Sequence, residues 1–163
     1  MKNRITRLLS LCLIACLMLT ACGRTKTKTY TCEGLTIKVP ANYKEKTGEE
    51  AEAYTFALSN NKTTVMGLRE EKAILESMGY NLTLEDYAEL IQSANANRPM
   101  SVSTYNDQYM ILLDNEIKGI PYKYLASVYE SEDAFWLIQF ACRESDYEKY
   151  RGDFFEHLLS VNP

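Results

Sequence analysis

The chain has 163 residues, with 18 basic and 22 acidic side chains, one histidine and a formal net charge of −4. This acidic balance argues against a nucleic-acid partner, because binding to phosphates calls for clustered lysine and arginine. The length corresponds to one domain with a substantial core.

Residues 1–21 have the charge order of a secretory signal peptide. Lys2, Arg4 and Arg7 precede an apolar run at residues 8–20, and no acid appears before Glu33. As a helix, this run spans roughly 20 Å, whereas a stable transmembrane helix must cross a hydrocarbon core of roughly 30 Å. The pattern therefore predicts an export signal and not a permanent membrane span.

The apolar run ends in Leu19-Thr20-Ala21-Cys22, which resembles the lipobox of bacterial lipoprotein signal peptides. The resemblance implies cleavage after Ala21 and a diacylglyceryl group, with acyl chains such as palmitate, on the sulfur of Cys22. An N-acyl group on the new amino terminus is an optional further modification. We therefore expect a protein held by lipid on the extracytoplasmic side of the cell membrane. The alternative is an ordinary secretory signal with a chance cysteine.

Cleavage leaves 142 residues with 15 basic and 22 acidic side chains. Residues 22–29 are predicted to be the lipidated cysteine and a polar tether, basic at Arg24, Lys26 and Lys28, and residues 30–163 a single globular domain. A basic tether beneath an acidic domain suggests that the linker is held to anionic headgroups while the domain is repelled. A simple solubilising linker is the alternative.

Two cysteines remain as structural candidates, since Cys12 and Cys16 leave with the signal peptide. Cys32 and Cys142 are either joined in a disulfide, as in many exported proteins, or two free thiols in the core. No CxxC or Cys/His spacing occurs, so neither a metal nor a cofactor is expected.

The first part of the predicted domain consists of strands and turns. Apolar and polar residues alternate over residues 35–39, and residues 54–58 and 63–69 are predicted to pair around a turn at residues 60–61. A short helix is predicted over residues 70–78, ended by Gly79.

The second part contains two longer helices and a strand meander. Thr83-Leu84-Glu85-Asp86 is typical of a capping box and predicts a helix over residues 84–96, which Pro99 prevents from continuing. Ser145-Asp146-Tyr147-Glu148 predicts a second capped helix that runs to residue 161. The remaining segments predict strands: residues 100–105, 109–113, 122–129 and 134–142.

The run at residues 134–142 is apolar at almost every position, which predicts a central strand covered on both faces. The fold class that follows is α+β, an antiparallel sheet sandwiched between helices.

The order of these elements, with the segments "LTLEDYAELI" and "FWLIQFACRESDYEKYRGDFFEHLLSV", resembles the PsbP-like family. The resemblance covers residues 30–161 and implies an α/β/α sandwich. It also implies a binding or assembly module, since this family includes many small bacterial lipoproteins and its members with known roles act in that way. No functional residue of the family carries over to this sequence.

The sequence offers no catalytic set. His157, the only histidine, lies beside the apolar stripe of the last helix with Asp153 one turn earlier, which predicts a position at the rim of the core or in a side-chain pair. The adjacent acids at residues 49–50 and 70–71 diverge from one another on a helix or strand. We therefore expect no enzyme activity.

Twelve tyrosines are the most unusual feature of the composition. Strand alternation places Tyr122 and Tyr124 on the face opposite Tyr129. These rings either line a sheet beneath helices or form a recognition surface, for which tyrosine is well suited. The five candidates lie within 25 residues of one another: Tyr105, Tyr109, Tyr122, Tyr124 and Tyr129.

The leading functional prediction is a lipid-anchored, non-catalytic binding or assembly domain. Its expected partners are membrane lipid, through Cys22, and a protein of the cell envelope. A small-solute-binding lipoprotein and a small hydrolase that uses carboxylates are the alternatives.

Overall fold

The computed structural model describes residues 26–163, so the predicted signal peptide and lipobox lie outside the described residues. None of the helices in this described part combines the length and the apolar character that crossing a bilayer requires. The elements in chain order are β1 (Thr27–Cys32), β2 (Leu35–Pro40), β3 (Lys44–Glu45), α1 (Glu49–Glu52), β4 (Phe56–Ser59), β5 (Thr63–Glu71), α2 (Lys72–Ser77), α3 (Leu84–Ala94), β6 (Met100–Tyr105), β7 (Gln108–Ile117), β8 (Ile120–Glu130), β9 (Ala134–Arg143) and α4 (Tyr147–Leu158).

The main sheet has seven antiparallel strands in the order β3-β4-β5-β9-β8-β7-β6, and β1 and β2 form a separate hairpin. Strand β9 pairs with β5 on one side and with β8 on the other. Its residues Phe135 and Trp136 point to opposite faces, and both are 1% exposed. The prediction of a central strand buried on both faces is therefore confirmed.

Helices cover both faces of this sheet. On one face, α4 and the β1–β2 hairpin pack on a core that includes Trp136, Phe140 and Phe154. On the other face, α3 packs through Tyr87, whose ring stacks on Phe135 with 4.8 Å between centroids. The structure confirms the predicted α+β class with an antiparallel sheet between helices.

Where a side chain forms hydrogen bonds within a turn, the local sequence determines where the helix or hairpin begins. The capping box of α3 forms, because the Thr83 hydroxyl accepts from the Asp86 amide and the Asp86 carboxylate accepts from the Thr83 amide. The β4–β5 hairpin forms around Asn60, whose side-chain oxygen accepts from the amides of Lys62 and Thr63.

The capping box predicted at residues 145–148 is wrong. Residues Glu144–Asp146 form a 3-10 turn that leads into α4, and Asp146, which precedes the helix, makes no side-chain cap. An N-cap residue needs extended backbone, whereas Asp146 has φ −101° and ψ −6°. The helix also ends at Leu158 and not at residue 161.

The domain begins earlier than predicted. Strand β1 starts at Thr27, which pairs with Pro40, so residues 27–29 belong to the fold and not to the tether. Most side chains of β1 are exposed, and for this reason the strand lacks the apolar alternation by which buried strands are recognised.

Cys32 and Cys142 are free thiols in the structure, so the disulfide alternative does not hold there. Glu33, next to Cys32, contacts Arg69, whereas Cys142 pairs with Thr63, at the start of β5. These two positions of β5 are about 20 Å apart at the rise of a strand. The two cysteines therefore lie toward opposite ends of the sheet.

Candidate functional site

Helix α3 covers only part of its face of the sheet. Along β8, Ala126 and Val128 lie under α3, whereas Tyr122 and Tyr124 continue on the same face beyond it. An open cleft of about 780 Å³ remains over this uncovered part. We call it the tyrosine cleft, after its residues Tyr54, Tyr122 and Tyr124.

The floor of the tyrosine cleft is apolar and the three rings stand around it. Met66 and Ala141, from β5 and β9, form the floor with Tyr124, and Tyr54 packs against this cluster from the segment that follows α1. Burial raises the pKa of the Tyr124 hydroxyl, while its hydrogen bond with Asn115 acts in the opposite direction. The hydroxyl is therefore protonated at neutral pH and available as a polar group within an apolar wall.

Basic side chains dominate the charged part of the tyrosine cleft. Lys46, Lys62 and Arg143 line it, against one carboxylate, Asp146. The described residues contain 14 basic and 22 acidic side chains, so this balance is opposite to that of the whole domain. The cleft therefore favours a ligand with apolar and anionic groups.

The five tyrosines singled out in the sequence do not form one surface. Tyr129 is buried on the opposite face, as alternation predicts, and its hydroxyl donates to the Leu158 carbonyl at 2.7 Å. Tyr105 is 47% exposed and packs edge-on against Phe155 of α4. Tyr109 packs at the side of the cluster beneath α3.

Only Tyr122 and Tyr124, among those five, line the tyrosine cleft. Sequence reasoning missed their neighbour Tyr54, which it placed in a strand. Tyr54 precedes β4 and reaches the cleft only because the chain there passes over the sheet, and no local pattern encodes this path.

A second cleft, of 750 Å³, lies at the same end of the sheet but on the α4 face. It lies between α4, along its length from Lys149 to His157, the segment that leads into β3, and the β4–β5 turn. Residues 59–63 of this turn line both clefts. We call it the histidine cleft, after His157. Its side chains include Asn42, Tyr43, Lys44, Asn60, Lys62, Lys149, Tyr150, Asp153 and His157.

His157 is buried, 7% exposed, so of its two predicted positions the one at the rim of the core is wrong. Its ring stacks on Phe140 with 5.5 Å between centroids. Burial lowers the pKa of His157 below its ordinary value of 6.5, and the nearby Asp153 and Glu156 only partly oppose this effect. The imidazole is therefore neutral at neutral pH.

This pKa predicts a dependence of stability on pH. Because the pKa of His157 is lower in the folded chain than its ordinary value of 6.5, the unfolded chain takes up a proton first as the pH falls. We expect the free energy of unfolding to decrease as the pH falls below that ordinary value, and His157→Gln to remove this part of the decrease. Urea unfolding of both proteins at neutral and mildly acidic pH measures it. Equal decreases in the free energy of unfolding of the two proteins would show that His157 does not cause this pH dependence.

Each cleft contains a single carboxylate, Asp146 in one and Asp153 in the other. Neither cleft therefore holds the pair of convergent carboxylates that a glycosidase-type mechanism uses. Within residues 26–163, no group of three or more histidine, cysteine or acidic side chains is placed to hold a metal ion.

Comparison with solved structures finds the same architecture in other proteins. The solution structure of cyanobacterial PsbP, CyanoP from Synechocystis, has a TM-score of 0.56 at 12% identity and covers 87% of this chain and 95% of that one. LpqN of Mycobacterium tuberculosis, a protein involved in cell envelope biogenesis, has a TM-score of 0.52 at 9% identity, with 85% and 91% covered. A structure from Bacteroides thetaiotaomicron has a TM-score of 0.50 at 11% identity, with 78% and 44% covered.

No family model and no curated protein matches the sequence. The likeness to CyanoP shows that the chain has a PsbP-like fold, as the sequence resemblance predicts.

Proposed function

We propose that this protein is a lipid-anchored module of the cell envelope that binds a partner protein through the tyrosine cleft and catalyses no reaction. Cys22 supplies the anchor, and the partner inserts a segment that combines apolar and acidic side chains. The observation that carries this proposal is the half-covered sheet face, where Tyr54, Tyr122 and Tyr124 surround an apolar floor beneath basic residues.

The chemistry of the cleft supports protein recognition. Tyrosine is enriched at interfaces because it buries a rigid ring at a small entropic cost and keeps a polar tip. Lys62 and Arg143, both exposed at the cleft, complement carboxylates of a partner and thereby fix its orientation. The open form of the cleft suits a polypeptide segment more than an enclosed small molecule.

The fold supports the same proposal at a coarser level. LpqN, with which this chain shares its architecture, is involved in cell envelope biogenesis. A similar place in the envelope is consistent with the lipobox at residues 19–22 of this chain.

Site-specific photocrosslinking in intact cells tests the proposal. A photoreactive phenylalanine analogue at Tyr122 is expected to give one discrete protein adduct, whereas the same analogue at Tyr105, an exposed ring on the other face, is expected to give none. Arg143→Glu should weaken the Tyr122 adduct, since it reverses a charge at the cleft.

The affinity for the captured partner then measures how much the Tyr122 ring contributes to binding. Tyr122→Ser is expected to weaken binding by about tenfold or more, as for a tyrosine at an interface hot spot. Tyr105→Ser is the matched control and should leave the affinity unchanged. The proposal is wrong if Tyr122 and Tyr105 give the same adducts, or if both serine variants bind equally.

The alternative of a small solute retains one observation in its favour, since both clefts fall within the volume range of about 300–1,000 Å³ that small-molecule sites occupy. A shift of the melting temperature with a single compound, abolished by Tyr122→Ser or by His157→Gln, would support it. Neither of these two clefts supports the alternative of a hydrolase, because each offers one carboxylate.

A further inference from the structure

The charges of the domain are separated between the two ends of the sheet. We call one end, where β5 ends and β9 begins, the acidic pole; it carries six carboxylates and two cations. Arg69 at this pole makes three ion pairs, with Glu33, Glu71 and Asp133, and Lys72 pairs with Glu130 at 2.8 Å. The six carboxylates are Glu33, Glu70, Glu71, Glu130, Glu132 and Asp133.

At the opposite end of the sheet, the charged lining of the two clefts has the reverse balance, while Asp114 and Glu144 at the same end pair with Lys123. The charged residues that line the two clefts there are five cations and two carboxylates, Asp146 and Asp153. Strand register places Lys44 beside the β4–β5 turn, because Lys44 pairs with Ser59. We call this end the basic pole; its cations are Lys44, Lys46, Lys62, Arg143 and Lys149.

The chain enters the fold at the basic pole. The Lys26 carbonyl accepts from the Ala41 amide at 2.7 Å, and the Lys28 ammonium donates to the Tyr43 carbonyl at 2.6 Å. The Tyr43 hydroxyl in turn donates to Thr63, at the β4–β5 turn, at 2.6 Å. The two N-terminal lysines therefore add to the basic pole.

The short connection to the proposed lipid brings this pole to the membrane. Four peptide steps separate Cys22 from Lys26, and they span at most about 14 Å. When the basic pole faces the membrane, the acidic pole lies further away by the length of β5, about 26 Å for its nine residues. Since the Debye length at physiological ionic strength is about 8 Å, an anionic surface attracts the basic pole while its repulsion of the acidic pole is screened.

We propose that the basic pole binds the headgroups of anionic phospholipids and holds the domain upright, with the acidic pole directed away from the bilayer. This inference rests on the proposed anchor at Cys22 and extends the proposed function, because it places the tyrosine cleft at the membrane surface. It differs from the expectation from the sequence that the domain is repelled as a whole, since the acidic pole, with its six carboxylates and two cations, lies far from the tether.

The test uses the mature lipidated protein in vesicles of phosphatidylcholine with or without phosphatidylglycerol. A fluorophore is attached at Asn61, in the turn at the basic pole, or at Glu132, at the acidic pole, and energy transfer to a headgroup acceptor reports its distance from the bilayer. On anionic vesicles, we expect Asn61 to lie close to the headgroups and Glu132 to lie more than about 20 Å further out, as the length of the sheet requires. On neutral vesicles, the two distances should approach one another.

Two double variants that change the net charge by the same amount distinguish an effect of charge at the basic pole from an effect of charge elsewhere in the domain. Lys44→Gln with Lys62→Gln should reduce the difference between the labels on anionic vesicles. Ala73→Glu with Ser77→Glu, at exposed positions of α2 beside the acidic pole, should preserve it. Equal label distances on anionic vesicles, or the same response in both variants, would overturn the orientation.

The outcomes also distinguish this inference from the proposed function. A protein that does not become lipidated fails to enter the vesicles, which contradicts the anchor. A protein that is anchored but shows no preferred orientation contradicts the basic pole alone and leaves crosslinking at Tyr122 unaffected.

Discussion

Gly67→Ala is expected to destabilise the fold by about 1–3 kcal/mol, as overpacking of a core does. A Cβ atom at Gly67 would lie 2.6 Å from Cζ and 2.7 Å from Cδ1 of the Phe56 ring on the neighbouring strand β4. The ring has little room to move, since Phe56 is 5% exposed and packs against Tyr30 with 5.1 Å between centroids. Urea unfolding followed by the fluorescence of the single tryptophan, Trp136, measures the change.

A second glycine is the matched control for this prediction. A Cβ at Gly152, in α4, meets no atom within 4 Å, so Gly152→Ala should stabilise the helix by about 1 kcal/mol through propensity alone. In a Phe56→Leu background, the cost of Gly67→Ala should decrease, because the clashing ring atoms are removed. An undiminished cost in that background would show that the ring is not the cause.

Cys22→Ser is expected to move nearly all of the protein out of the membrane fraction or to leave it as an uncleaved precursor. The physical reason is that each buried methylene of an acyl chain contributes about 0.8 kcal/mol, so two chains hold a protein in the membrane where one chain is marginal. Fractionation, the mass of the amino-terminal peptide and incorporation of labelled palmitate measure the outcome.

Cys16→Ser provides the control for the anchor, since Cys16 lies within the predicted signal peptide. This variant should be cleaved, lipidated and retained like the natural sequence. Normal processing and membrane retention of Cys22→Ser would show that the lipobox at residues 19–22 is not used.

The sequence predicts well those helices, strands and turns that are determined by residues close to them in the sequence. The polar side chains at Thr83 and Asp86 complete the first turn of α3 by themselves, and Asn60 closes the β4–β5 turn in the same way. Hydrophobicity at successive positions is also a local signal, and it identifies β9 as the centre of the sheet. These features need no knowledge of distant residues.

The errors occur where a distant contact overrides the local pattern. Ser145 matches a capping box, but the chain turns there as a 3-10 helix between β9 and α4. His157 resembles a residue at the rim of its helix, but contact with Phe140 of β9 buries it. The contact between His157 and Phe140 joins residues 17 positions apart in the sequence, so it is not visible in a window of a few residues.

The candidate site shows the same division more clearly. Alternation correctly places Tyr122 and Tyr124 opposite Tyr129, since side-chain direction in a strand depends only on the parity of position. It does not show that α3 stops short of Tyr122, or that Tyr54 reaches the same cleft. The exposed part of a sheet face depends on where a helix packs, which is a tertiary property.

The sequence by itself therefore determines the predicted location of this protein at the cell membrane, its acidic composition and the order of its strands and helices. The reason is that export signals, charge and periodicity are properties of contiguous residues. Only the tertiary structure decides that the charges are divided into two poles and that the chain enters at the basic one. Lys44, Lys62 and Arg143 are as many as 99 positions apart in the sequence, and antiparallel pairing brings them to one end of the sheet. The uneven distribution of charge over the domain arises only through that pairing, and the proposed orientation at the membrane rests on it.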